Sequence, residues 1–143
     1  MRAFFVACSF LFLSGCVTGG VTLKDTPLGL SETRRSIVSV IGEPRMMSQN
    51  GREMQSQYYA KDNKPIAKMD MARSRYFTHV IILGDRRPYD IQVIVKMEVR
   101  TEDGQFEYSE NDDDKAELIA GRIQEALNQS RDGRNIIDDF RSF

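Results

Sequence analysis

Tyr89-Asp90-Ile91-Gln92-Val93-Ile94-Val95-Lys96-Met97-Glu98-Val99-Arg100-Thr101 is the most strongly periodic stretch of the chain. Ile91, Val93, Val95, Met97 and Val99 alternate with Gln92, Ile94, Lys96, Glu98 and Arg100. Side chains of a strand point alternately to opposite faces, so this is a strand with one buried and one mostly wet face. Asp103-Gly104 follows at the right place for a two-residue hairpin turn. That turn sets Thr101 against Phe106, Arg100 against Glu107 and Val99 against Tyr108. Phe106 and Tyr108 are then expected on the buried face.

Moving back along the chain, Gly84-Asp85-Arg86-Arg87-Pro88 reads as a turn preceded by a strand over Tyr76–Leu83. Asn50-Gly51 is another hairpin signal, pairing Gln49 with Arg52, Ser48 with Glu53 and Met47 with Met54. A helix is expected from about Ser31 to Ile41, with Ser31 as cap, Ile37, Val38 and Ile41 on one face, and Gly42 and Pro44 ending it. Beyond the hairpin, Asp114 and Glu117 have capping-box spacing, and Ala116, Ile119, Ala120, Ile123, Ala126 and Leu127 form an apolar stripe. This second helix is expected to run to about Arg131 and to stop at Gly133, leaving Asn135–Phe143 as an edge strand or docked tail. The expected fold is α+β, an antiparallel sheet of four to six strands with two helices packed on one face.

The N-terminus carries an address. One charge, Arg2, precedes the apolar run Ala3–Leu13, too short for the roughly 20 residues of a membrane span but right for a secretory signal. The run ends in Leu13-Ser14-Gly15-Cys16. These four residues resemble the lipobox of bacterial lipoproteins, which implies cleavage before Cys16 and acylation of its thiol, palmitate included. Val17 is not Asp, and by the sorting rule of such lipoproteins this implies the outer membrane, with the domain facing the periplasm; the inner membrane is the alternative. The expected organisation is a signal peptide over 1–15, a flexible tether over 16–26 and one periplasmic domain over 27–143. Cys8 leaves with the signal and Cys16 carries lipid, so no thiol remains for a disulfide.

Charge is divided unevenly. Residues 16–100 hold 14 Lys and Arg against 9 Asp and Glu, whereas residues 101–143 hold 5 against 12. The export signal and the lack of a basic domain speak against nucleic acid as a partner. Residues 60–75 concentrate Lys61, Lys64, Lys68, Arg73 and Arg75, interleaved with Met69 and Met71. These seven side chains are candidates for contact with lipid phosphates or a protein partner. A solvated connector is the other reading of the same stretch.

Gly29-Leu30-Ser31, a short helix, Ile41-Gly42-Glu43-Pro44 and a strand ending Tyr58-Tyr59 together resemble the SmpA/OmlA (BamE-like) family. The likeness covers residues 29–59. It implies a small lipoprotein of the machinery that assembles outer-membrane barrels, with an envelope protein as partner. The chain departs from the family in a slightly longer interval between Gly29 and Gly42, and in the further helix and tail beyond Tyr59.

Candidate chemistry is sparse. His79 is the only histidine and lies within an apolar strand. One histidine without a free cysteine does not make the usual zinc sets. The acidic run at 110–114 lacks the glycine and glutamate of a calcium loop. No Ser-x-x-Lys, Gly-x-Ser-x-Gly or phosphate-binding glycine loop occurs. The sequence therefore points away from an enzyme, and no cofactor or metal is expected. It favours a lipid-anchored interaction or assembly module; the alternative is a periplasmic carrier of lipid or a small ligand.

Overall fold

The computed structural model describes residues 19–140, with side chains described through Gly133. The lipobox with Cys16 lies outside the described residues, as do residues 141–143. Six strands form one open antiparallel sheet: β1 (Val21–Thr26), β2 (Met46–Met47), β3 (Glu53–Gln55), β4 (Ser74–Leu83), β5 (Tyr89–Arg100) and β6 (Phe106–Asn111). Two helices accompany it, α1 (Leu30–Ile41) and α2 (Asp113–Phe140). The order across the sheet is β1-β5-β4-β3-β2, and β6 pairs with the other half of β5, on from β1.

The alternation in β5 holds on the buried face through Val95, but Val99 at its end is 39% exposed, and Ile94 on the face expected to be wet is only 6% exposed. Ile91, Val93 and Val95 are fully buried and meet Val80 and Ile82 of β4 on one face. Leu28, Ile37, Ala120, Ile123 and Leu127 close the same cluster, so both helices cover this face. α1 packs on α2, and α2 lies across β5 and β1. The fold is thus α+β with both helices on one side of the sheet. Met47 stands opposite Met54, the register expected from Asn50-Gly51.

Five expectations are corrected. The first concerns the tether, since residues 21–26 form β1 instead of extending it. Val21 and Leu23 pack against the core while Thr22 and Lys24 are exposed. An alternation this short is decided by the free edge of β5, which supplies its backbone partners.

The second is the hairpin at Asp103-Gly104. Thr101 and Gln105 close a three-residue loop, with Gly104 at φ 80°. Such a loop is a type I turn ending in a left-handed residue. The register moves by one, setting Phe106 against Arg100 and Tyr108 against Glu98. A one-residue slip moves every side chain to the other face. Phe106 and Tyr108 therefore leave the buried face, and Arg100 does not pair with Glu107.

The helix ends account for the other three. α2 continues through Gly133 to Phe140, because a glycine inside a helix costs only about 1 kcal/mol and stops nothing by itself. Its N-terminal cap is Asp112, whose carboxylate accepts the Lys115 N–H at 3.0 Å, in place of the expected Asp114. Likewise α1 begins one residue early, its entry held by the Glu32 carboxylate accepting the Gly29 N–H at 3.3 Å.

Candidate functional site

Two features stand out among the described residues, one on each face of the sheet. On the helix face a cavity of about 490 Å³ remains where α1 ends and the chain after β3 runs past α2. Val40 and Ile41 bring one wall from α1, and Leu118 and Ile119 another from α2. Tyr59 and Pro65, which bridge to each other across the intervening turn, form a third. A volume between roughly 300 and 1,000 Å³ with mostly apolar walls is typical of ligand sites.

The polar groups in the floor of the cavity satisfy one another. Tyr59 Oη and Thr78 Oγ1 are 3.1 Å apart. Ser56 Oγ accepts the Thr78 N–H at 2.9 Å and donates to the Gln57 carbonyl at 2.8 Å. Burial pushes the Tyr59 hydroxyl above its ordinary pKa, with the charge of Asp112 adding to it and the Thr78 hydrogen bond opposing. The phenol is therefore neutral through the physiological range. At the rim stand Lys115 and Arg122, with Asp114 beside them and Leu118 half exposed at 51%. Lys115 Nζ donates to the Lys61 carbonyl at 2.8 Å and to Asn63 Oδ1 at 3.0 Å, tying the first turn of α2 to the basic loop.

The opposite face carries no helix and is covered by a row of guanidinium groups and rings. Arg45 lies 4.4 Å from the Tyr58 ring centre and 4.8 Å from that of Phe77. Arg75 lies 3.8 Å from Tyr58 and 4.0 Å from Phe106, and Arg100 continues the row 5.7 Å from Phe106. Arg75 also donates to Glu98 at 2.6 Å, with both side chains only 17% exposed. The slipped register of β6 is what puts Phe106 between Arg75 and Arg100.

The structure separates the seven loop residues expected to act together. Lys61 and Lys64 lie on a tight turn beside Lys115, and Lys64 Nζ is 3.3 Å from Asp62 Oδ2. Two hydrogen bonds, together with the ammonium of Lys64, hold the Asp62 carboxyl below its ordinary pKa. Met69 and Met71 form a single 3-10 turn, with Met71 71% exposed. Lys68 and Arg73 flank that turn and are exposed. Arg75 differs from the rest: it is committed to Glu98, two aromatic rings and the Met69 sulfur at 3.9 Å. It is not a free surface cation.

Sequence reasoning missed the cavity and the aromatic row alike. Tyr59, Thr78 and Leu118 come from three separated segments, and no local pattern marks them. Among the described residues no group of three or more His, Cys, Asp or Glu side chains is placed to hold a metal ion. No helix among them is long and apolar enough to cross a membrane. Comparison with known proteins finds no matching family model, no matching curated protein and no matching solved structure.

Proposed function

We propose that this is a lipid-anchored envelope protein that works by contact and not by catalysis: an interaction or assembly module at the periplasmic face of the outer membrane. The lipobox and Val17 support the address. The observation that carries the contact reading is the outer edge of the sheet. β2 is the last strand, no described strand pairs with its outer side, and Met46 and Met47 are 50% and 44% exposed. An edge strand offers unpaired backbone groups to an extended segment of another chain. Methionine side chains adapt to irregular apolar surfaces. The partner's chemistry is accordingly an extended, partly apolar segment of an envelope protein.

A photo-crosslinking residue at Met46 or Met47, in cells with an intact envelope, tests this. One protein should be captured from both positions and much less from Asn128, an exposed position on α2. Equal capture at all three positions would remove the edge as the site. The cavity favours a second reading, in which the domain holds a lipid or other small ligand.

A further inference from the structure

We infer that the cavity between α1 and α2 takes up an acyl chain of a glycerophospholipid from the bilayer to which the protein is anchored. The inference rests on the lipoprotein reading and gives the carrier reading its ligand. Four observations converge on it. The cavity, of about 490 Å³, has an apolar wall on three sides, from Val40 and Ile41, Leu118 and Ile119, and Tyr59 and Pro65. The buried polar groups of its floor are already paired with one another, so the interior asks for an apolar occupant.

The rim supplies the complementary charge. Lys115 and Arg122 stand at the mouth, and Lys61 and Lys64 lie on the turn that Lys115 binds. Asp62 and Asp114 offset part of this charge, and Asp62 is engaged with Lys64. Cations around an apolar opening suit a ligand with an apolar chain and a phosphate head.

The anchor supplies the source. Gly19 lies against the start of α2: a Cβ built on it would come within 2.7 Å of Asn111 Nδ2 and 3.4 Å of Asp113 Oδ1. Cys16 is three residues earlier, a reach of about 10 Å even when fully extended. Because β1 absorbs residues 21–26, no longer tether exists to hold the domain away. An acylated Cys16 therefore sets the first turn of α2, and with it Lys115 and the cavity mouth, close to the head groups.

The test uses the full chain purified from envelopes in its processed form. It is reconstituted into vesicles of phosphatidylethanolamine and phosphatidylglycerol that include a phosphatidylglycerol bearing a diazirine on one acyl chain. After illumination, labelled peptides are mapped by mass spectrometry. Labelling should concentrate on residues 57–65 and 114–122. Leu118→Glu, at an exposed rim position, should lower it at least fivefold, and Val40→Trp, which fills the cavity, should do the same. Labelling spread evenly over the surface, or unchanged in Leu118→Glu, would overturn the inference. The mass of the N-terminal peptide reports acylation separately. Acylated Cys16 without cavity labelling overturns this inference alone, whereas cavity labelling with unmodified Cys16 supports the cavity and overturns the lipoprotein reading.

Discussion

His79 faces the helix-free side of the sheet, and neither ring nitrogen has a hydrogen-bond partner. Its Nε2 is 3.7 Å from Glu53 Oε2, an electrostatic contact longer than a hydrogen bond. Burial, then the charges of Lys96 and Arg45, lower its pKa from 6.5, with Glu53 opposing. As pH falls through the ordinary value, the unfolded chain takes the proton first, so native stability drops until the lowered native value is passed. His79→Gln should flatten this dependence when melting temperatures are compared between about pH 7 and pH 5. Equal slopes for both proteins would contradict it. Gly20 gives a second prediction at this scale. It has φ 114°, and a Cβ there would lie 2.5 Å from the Val93 carbonyl oxygen, within the β1–β5 pairing. Gly20→Ala should cost about 1–3 kcal/mol in urea unfolding. Gly121→Ala, in open space within α2, should instead stabilise by about 1 kcal/mol.

Among the elements, the β4–β5–β6 side of the sheet depends on Arg75. Removing it breaks the row between Tyr58 and Phe106 and leaves the Glu98 carboxylate half-buried without its partner. Arg75→Ala should therefore cost about 2–3 kcal/mol. Arg75→Lys should recover only part of this, because an ammonium keeps the charge but not the flat stack. Full recovery in Lys would show that charge alone matters. The same elements show what was legible in the sequence. The alternation of β5 and the Met47–Met54 register could be read directly, because periodicity and turn chemistry act locally. The slip in β6 could not, since an Asp-Gly pair fits a two-residue or a three-residue loop equally well. Nor could β1, whose alternation is too short to distinguish from a tether until β5 provides its edge. The row on the open face and the cavity lie further from local pattern still. Arg45, Tyr58, Arg75 and Phe106 sit in four segments, and only strand pairing brings them together.

For the whole molecule, the proposed lipid anchor makes the length of chain between Cys16 and the domain the quantity to test. If Val17 directs delivery, wild-type protein should fractionate with outer-membrane markers, and Val17→Asp should shift it to the inner membrane in a host that obeys the sorting rule. Co-fractionation of the wild type with inner-membrane markers would refute the address and leave the anchor untouched. Orientation is a separate matter. If Cys16 carries the proposed lipid, the reach of at most about 10 Å between Cys16 and Gly19 would keep the first turn of α2 near the head-group region. Inserting ten Gly and Ser residues between Thr18 and Gly19 adds an r.m.s. reach of roughly 15–20 Å. The fold should be unaffected, because the insertion precedes β1, and acylation of Cys16 should continue, because the lipobox is intact. Acyl-chain labelling of the cavity should then fall severalfold, since the mouth is free to turn away from the bilayer. Capture of a protein partner at Met46 or Met47 should respond differently: the edge strand is distant in the sheet from β1, and extra reach would leave it accessible. Unchanged cavity labelling in the lengthened protein would mean that lipid reaches the site without help from the anchor, and the short connection would lose its role in presenting the cavity.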